Sequence, residues 1–316
     1  MIPERLVTLG VLAGLVIVPL WAHLAGEPFT VTLATRAVIL GLAATGLHLA
    51  LGQGGLVSLG HAAFFGIGGY AAAIPSWHAQ TYAPLMGLET TAMPVLWLWA
   101  LAASALAAAV IGALSLRTQG VYFIMATLAF GQMLFFFAVG WARYGGEDGL
   151  PIYVRNGFPG LNTLQPIQFY ALCLALLLLA LGLSHVLARS PFGLALRVAR
   201  QSEARAEAAG HAPTRLRLTA LVISGAMTGL AGALFADLNR FVSPAMLSWQ
   251  VSGELIVFCV LGGLGRLIGP VVGAVLFVVL EHWLGGVWDH WPLLLGALLL
   301  GIVLFARGGV VGWLAK

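Results

Sequence analysis

The sequence contains few charged residues. Only 8% of its 316 residues are Asp, Glu, Lys or Arg, whereas 60% are hydrophobic. A soluble domain carries about 25% charged residues, so this composition excludes a protein whose main solvent is water. The formal net charge is +4. The basic residues lie between apolar stretches, which indicates membrane topology rather than nucleic-acid binding.

Lysine is almost absent, and this excludes a nucleotide-binding P-loop. The single lysine is Lys316, the last residue. A phosphate-binding P-loop needs a lysine within the pattern G-x-x-x-x-G-K-[ST]. If the protein uses ATP, we therefore expect another chain to bind and hydrolyse it.

Residue patterns for catalysis or metal binding are also missing. Cys173 and Cys259 lie far apart within apolar stretches, so neither a disulfide nor a metal-ligand spacing is indicated. The eight histidines form no H-E-x-x-H motif, and no metal site is expected. A membrane-embedded enzyme using His61 or Glu254 is disfavoured because no pair of reactive groups is spaced for chemistry.

Long apolar stretches recur along the whole sequence. They predict an all-α polytopic membrane protein, with residues 1–316 in a single domain. We expect about ten transmembrane helices, some of them short or broken. The predicted spans are 6–24, 31–51, 56–74, 92–116, 121–142, 168–187, 216–238, 251–264, 267–283 and 291–305.

The basic residues predict the orientation of these spans. With both termini in the cytoplasm, alternation of the spans places most of the basic residues on the cytoplasmic side, as the positive-inside rule requires. The cytoplasmic group is Arg5, Arg117, Arg189, Arg197, Arg200, Arg205, Arg215, Arg217, Arg266, Arg307 and Lys316. The opposite group is Arg36, Arg143, Arg155 and Arg240.

Two glycine-rich stretches are unusual for straight spans. Residues 51–66 combine glycines with Gln53, Ser58 and His61, and residues 261–270 separate two short apolar stretches. Interrupted helices in both halves of a membrane protein favour a central pathway, because freed backbone groups need protein or water as partners. Close helix packing through small residues is the alternative for any single glycine.

The longest predicted cytoplasmic loop, residues 188–214, is polar and rich in alanine. This composition predicts a helix, which Ser190 and Pro191 begin and which Gly210 and Pro213 end. Such a helix beneath a membrane bundle serves as a docking surface for a partner or lies on the lipid surface.

Four stretches in the same order resemble one family, the M-type (LivM-like) permeases of branched-chain amino-acid ABC importers. The first, GQGGLVSLGHAAFFGIGGY at residues 52–70, is similar to the family pattern G-Q-x-S-L-G-H-A-A-F-F-G-I-G-A-Y, with extra glycine spacing after Gln53. The second stretch, at residues 117–150, contains RTQGVYFIMATLAF and then GGEDGL. The third, at 190–234, begins with SPFG, continues through EARAEAAG and ends with GLAGAL. The fourth, at 261–274, contains LGGLG and GPVVGA.

The resemblance implies a permease in a bacterial or archaeal cytoplasmic membrane. Its implied partners are a homologous H-type permease, two cytoplasmic ATPases that carry ATP and Mg²⁺, and an extracytoplasmic solute-binding protein. This chain is then not an enzyme and binds no cofactor. The implied cargo is a branched-chain or other hydrophobic amino acid. Importers of urea, short amides or aromatic acids look similar, and a stand-alone secondary carrier is a further alternative.

The resemblance also implies roles for particular residues. It places a coupling helix, which seats in the ATPase, at Glu203, Arg205, Glu207, Ala208 and Gly210. Candidate residues of the translocation pathway, with a structural role in holding broken helices as the alternative, are Gln53, Ser58, His61, Phe65, Thr127 and Glu254.

Overall fold

The computed structural model describes residues 4–82, 84, 87–286, 290–305 and 308–314, and most of these residues are helical. The helices in chain order are α1 (Glu4–Leu24), α2 (Pro28–His48), α3 (His61–Gln80), α4 (Met93–Ser115), α5 (Val121–Gly140), α6 (Pro166–Arg189), α7 (Pro191–Gln201), α8 (Glu203–Ala208), α9 (Pro213–Asn239), α10 (Trp249–Gly262), α11 (Gly269–Gly285), α12 (Trp291–Phe305) and α13 (Gly309–Leu314). A π-helical turn, Leu49–Gln53, extends α2.

The predicted all-α membrane architecture is confirmed. Each of the ten predicted spans overlaps one helix, and six helices are long and apolar enough to cross a membrane. Helices α10 and α11 are shorter apolar helices, as is the stretch Pro292–Gly301 within α12. Helix α3 has 20 residues but is not among the six because glycine and polar residues lower its hydropathy. Of the residues used to predict orientation, Arg307 and Lys316 lie outside the described residues.

One predicted span, 56–74, is wrong at its start. Helix α3 begins only at His61, and residues 54–60 form a non-helical connection. Gly55 has a φ of +69°, and the preceding helix ends there because such a backbone conformation cannot continue it. The amide of Gly60 donates to Ser58 Oγ at 3.2 Å, which closes a local turn before α3.

Helices α2 and α9 form the centre of the bundle. In their most apolar segments 72% and 61% of the residues are buried, compared with 17% to 33% for α1, α4, α5 and α6. Helices α3 and α4 pack against α9, while α6 and α11 pack against α2. The outer helices therefore expose most of their apolar surface, as expected for segments that face lipid or another subunit.

Helices α3 and α9 contact each other through glycine. A Cβ atom at Gly68 would lie 2.0 Å from the Gly229 carbonyl oxygen, and one at Gly232 would lie 1.8 Å from the Phe65 carbonyl oxygen. Only hydrogen fits at these positions, so the two backbones approach as closely as small-residue motifs in membranes allow. The first two turns of α3 therefore serve helix packing.

The polar α7 and α8 and both glycine-rich connections lie at one end of the bundle, here called the α7 end. The segment formed by residues 142–165 covers the other end and is here called the cap segment. Helix α9 runs from one end to the other over 27 residues, about 40 Å. A short antiparallel pairing of Leu150–Pro151 with Phe241–Val242 joins the cap segment to the chain that follows α9.

A buried polar network holds the cap segment on the bundle. Asn156 Nδ2 donates to Asp237 Oδ1 at 2.6 Å, and Ser76 Oγ donates to Asn156 Oδ1 at 2.6 Å. All three side chains are at most 1% exposed. Asn156 therefore connects the cap segment to α3 and α9 at once.

Arg155 adds a second connection beside this network. Its guanidinium donates to the backbone carbonyls of Asp237, Thr163 and Leu238 at 3.1, 2.8 and 3.3 Å and lies 4.4 Å from the centre of the Phe169 ring. Burial lowers the pKa of Arg155, and the nearby Asp237 opposes that shift. An arginine nevertheless stays charged, so the three carbonyls receive charge-assisted hydrogen bonds.

The arrangement of basic residues predicts which end faces the cytoplasm. Among the described residues, the basic side chains of the larger group lie at the α7 end. We therefore expect a cysteine at Ala204 to react with an impermeant maleimide only after cells are permeabilised. A cysteine at Tyr153, which is 60% exposed on the cap segment, should react from outside. Cys173 and Cys259 are fully buried and give little background. The opposite labelling pattern would show that the predicted orientation is wrong.

The second prediction concerns the cap network. Asn156→Ala leaves Asp237 and Ser76 buried without their partner, and an unsatisfied buried group costs about 1–3 kcal/mol. We expect the variant to unfold at a temperature several degrees lower, as measured by thermal unfolding of the purified protein in detergent. Asn162→Ala, in an exposed part of the same segment, is the control and should unfold like the wild type. Equal unfolding temperatures of the two variants would mean that the network contributes little to the stability of the protein.

Candidate coupling and translocation site

The loop predicted to be helical folds into two short helices rather than one. Ser190 Oγ accepts from the Gly193 amide at 3.3 Å and caps α7, with Pro191 in the first turn. Ser202 then interrupts the helix with an extended backbone, and its Oγ accepts from the Arg205 amide at 3.4 Å to cap α8. A serine side chain that bonds to a nearby amide competes with helix continuation, which accounts for the break.

Helix α8 ends in a motif that fixes its last turn. The Gly210 amide donates to the Glu207 carbonyl at 2.9 Å, and the His211 amide donates to the Ala206 carbonyl at 3.0 Å. Gly210 has a φ of +79°. These are the two hydrogen bonds of a Schellman motif, with glycine at the left-handed position. The predicted stop at Gly210 is thus confirmed.

The residues predicted to contact an ATPase differ in exposure. Arg205, Glu207, Ala208 and Gly210 are exposed, while Ala206 is buried and anchors α8 to the bundle. The four exposed residues therefore form a continuous accessible surface at the α7 end.

Glu203 is occupied by contacts within the chain. Its carboxylate forms an ion pair with Arg217 of α9, and it accepts a hydrogen bond from Gln119 Nε2 at 3.1 Å. Gln119 lies in the turn between α4 and α5. Glu203 thus connects α8 to two other parts of the bundle.

A cleft of about 390 Å³ opens beside Glu203. It is bounded by residues 55–57 of the first connection, residues 116–121 around the α4–α5 turn, Glu203 and Arg217. Movement of α8 would change the shape of this cleft.

The first glycine-rich connection, taken as residues 52–60 so that it includes the end of the π-helical turn, is in direct contact with α7. The guanidinium of Arg200 donates to the Gly52 carbonyl in the π-helical turn. The last carbonyls of a helix have no helical donor, and the arginine supplies one. A Cβ atom at Gly54 would lie 3.6 Å from Leu196 Cδ1 of α7.

The second connection, residues 263–268, lies next to the first. His48 Nε2–H, at the end of α2, donates to the Leu264 carbonyl at 2.9 Å. The Arg266 guanidinium donates to the Val311 carbonyl in α13. The two glycine-rich stretches, more than 200 residues apart in sequence, therefore meet at the α7 end.

Three of the predicted pathway residues lie near the start of α3. His61 Nε2 lies 2.8 Å from Ser224 Oγ of α9, and Ser224 Oγ donates to the Gly46 carbonyl of α2 at 2.6 Å. Thr127 lies on α5 and packs closely against the residue before α3. A Cβ atom added at Gly60 would lie 2.7 Å from the Thr127 carbonyl oxygen. Ser58, His61 and Thr127 are at most 1% exposed, so they are positioned to hold α3 against α2, α5 and α9.

The other three predicted pathway residues make different contacts. Phe65 is 2% exposed and its ring packs 5.4 Å from that of Phe235. Gln53 is partly buried at the end of the π-helical turn. Glu254 lies on α10, within electrostatic range of the ion pair that joins Arg36 Nη2 to Glu281 Oε2 at 2.9 Å.

Sequence reasoning missed several contacts that organise this region. Asp237 lies within the predicted span 216–238, and an acidic residue at that depth is a signal that could have identified it. The partners of Glu203, which are Gln119 and Arg217, and the contact of Arg200 with Gly52 have no signal in a single sequence. They become visible only when the helices are assembled.

The apolar spans, the polar helices folded against them and the irregular connections at one end together define a multi-pass membrane permease. No pair of described side chains at the α7 end is arranged for bond-making chemistry. The contacts there instead join α7, α8 and the two glycine-rich connections to the bundle.

Comparisons with known proteins agree with this class. A family described as "Branched-chain amino acid transport system / permease component" matches residues 29–306. The chain belongs to this family.

Its relatives include two proteins named high-affinity branched-chain amino acid transport system permease protein LivM. The Salmonella typhimurium (strain LT2) protein is 28% identical over 328 aligned positions, covering 95% of this chain and 74% of the relative. The Escherichia coli (strain K12) protein is 29% identical over 309 positions, covering 89% and 70%. An autoinducer 2 import system permease protein LsrC from Yersinia pestis (strain Pestoides F) is 27% identical over 170 positions, 50% of this chain and 46% of the relative. No solved structure matches the chain.

The geometry at the end of α8 predicts which substitutions of Gly210 destabilise its last turn. No atom lies within 4 Å of a Cβ placed there, so bulk alone should be tolerated. The left-handed backbone disfavours a β-branched residue by about 1–2 kcal/mol, whereas asparagine tolerates it. We expect Gly210→Val to speed amide hydrogen exchange across residues 205–211 and Gly210→Asn to leave it nearly unchanged. Equal exchange in both variants would contradict the assignment of the motif.

Proposed function

We propose that this chain is the membrane-spanning subunit of an ATP-binding-cassette importer that moves branched-chain or other hydrophobic amino acids into the cytoplasm. The family match over residues 29–306 is the observation that carries the proposal. The LivM relatives, aligned over about nine-tenths of this chain, support the choice of cargo. The LsrC relative covers half of the chain and gives weaker support for a different cargo.

The proposed complex contains further subunits. A homologous permease completes the membrane portion, two cytoplasmic ATPases bind ATP and Mg²⁺, and an extracytoplasmic binding protein delivers the solute. Much of the surface of α1, α4, α5 and α6 is apolar and exposed, which supports contact with lipid and with a second permease. The cytoplasmic membrane of a bacterium is the proposed location.

The exposed part of α8 is the proposed seat of an ATPase. Arg205 and Glu207 offer charges of both signs, and Ala208 and Gly210 leave room for a partner to approach closely. Charge-assisted hydrogen bonds are strong when a docking surface excludes water. The Schellman motif and the Ser202 cap hold this short helix in shape before any partner binds.

Cargo can be tested with the assembled importer. Proteoliposomes containing the complete complex should accumulate labelled leucine or isoleucine when ATP and the binding protein are supplied. Uptake of urea or an aromatic acid without uptake of leucine would replace the proposed cargo while leaving the importer assignment in place.

A separate prediction concerns ATPase docking. Glu207→Arg reverses a charge on the exposed α8 surface, so we expect at least a tenfold loss of solute uptake and reduced recovery of the ATPase with the purified permease. A loss of this size corresponds to about 1.4 kcal/mol. Insertion of the chain into the membrane should not change because α8 lies outside the bundle core.

Glu147→Arg is the matched control. Glu147 is also an exposed acidic residue, but it lies in the cap segment at the opposite end. This variant should retain wild-type ATPase recovery. If Glu207→Arg also retained wild-type uptake and ATPase recovery, α8 would not be the docking surface.

A further inference from the structure

We propose that Arg200, Gly52 and His48 form a link that makes both glycine-rich connections follow the movement of α7, with Arg200 as the positioning residue. This inference rests on the proposed function, because it requires an ATPase that moves the α7 end. It gives a role to residues outside the exposed α8 surface.

The first step of the link is the seat of Arg200 on the first connection. Its aliphatic stem lies over Gly55, where an added Cβ would come within 2.9 Å of Arg200 Cγ. Its guanidinium donates to the Gly52 carbonyl. The side chain therefore contacts the connection at two points, one apolar and one polar, and fixes α7 against it.

Gly52 is the joint between the two halves of the link. Its carbonyl accepts from Arg200 on one side, and on the other side the His48 ring occupies the space of a side chain. A Cβ at Gly52 would lie 2.6 Å from His48 Nε2. Gly52 belongs to a π-helical turn, a widened turn that often occurs at functional positions.

His48 carries the link to the second connection. Its Nε2–H donates to the Leu264 carbonyl at 2.9 Å, and the side chain is 3% exposed. Leu264 lies between α10 and α11. Displacement of α7 thus reaches the α10–α11 pair through three residues, without rearrangement of the α3–α9 contact in the core.

The neighbouring Arg197 lacks this arrangement although it lies on the same helix. Its guanidinium donates to the Ala188 carbonyl at the end of α6, at 3.0 Å. Each arginine thus binds one backbone carbonyl, but only Arg200 reaches a glycine-rich connection. The two residues form a matched pair for an experiment.

The experiment compares Arg200→Met with Arg197→Met in the complete importer, reconstituted in proteoliposomes with its ATPases, second permease and binding protein. Methionine keeps much of the apolar stem and removes the hydrogen bond. We measure the number of solute molecules transported per ATP hydrolysed. Loss of a charge-assisted hydrogen bond should lower this ratio on the order of tenfold in Arg200→Met. Arg197→Met should keep the wild-type ratio, and Arg200→Lys, which retains a charged donor, should recover part of it.

A double variant tests whether His48 acts through the same link. His48→Leu alone should also lower the ratio, and combining it with Arg200→Met should lower it no further than the larger single effect. If the two substitutions lowered the ratio independently, so that their effects multiplied in the double variant, His48 would not act through Arg200.

Several outcomes would overturn the proposal. Equal ratios in Arg200→Met and Arg197→Met would show that the contact with Gly52 transmits nothing. Loss of ATPase recovery, or of the chain itself from the membrane, in Arg200→Met would show that the residue serves docking or folding. Failure of the wild-type chain to assemble with ATPases would instead contradict the proposed function, so the two failures are distinguishable.

Discussion

Backbone carbonyls at helix ends need hydrogen-bond donors, and in a membrane bundle water cannot supply them freely. At several helix ends a basic side chain is the donor. These contacts are Arg200 at Gly52, His48 at Leu264, Arg266 at Val311, and Arg155 at the end of α9. Each contact joins segments that are distant in sequence. Three arginines and one histidine therefore hold several of the irregular segments of this chain.

The two ends of the bundle meet this requirement differently, and they therefore differ in how firmly their segments are held. At the cap end, Asn156, Asp237 and Arg155 form a buried network with many partners, which should be rigid. At the α7 end, hydrogen bonds and an ion pair between exposed or part-buried groups join short segments, and Ser202 separates two short helices. Regions with few buried contacts open at lower free energy than a packed core. The same bundle can therefore hold one end fixed while the other moves.

Much of the architecture could be predicted from the sequence because apolar length and glycine or proline punctuation determine where membrane helices lie. The loop helix was also predictable, since Ser190, Pro191 and Gly210 are local signals. The late start of α3 was not, because residues 56–60 are apolar enough to continue a span. The grouping of His61 with Ser224, and of Arg200 with Gly52, depends on helix assembly and has no local signal. Glu254 was a candidate because it is an ionisable residue within a predicted span, and the structure places it near Arg36 and Glu281.

The short helices α10 and α11 have a consequence for the lipid around them. With 14 and 17 residues they rise about 21 and 26 Å, less than the hydrocarbon thickness of about 30 Å. The bilayer must thin, or polar groups must enter it, where these helices meet lipid. The apolar layer along these two helices is consequently thinner than along the longer helices, and a solute or water molecule beside them has a shorter apolar distance to cross.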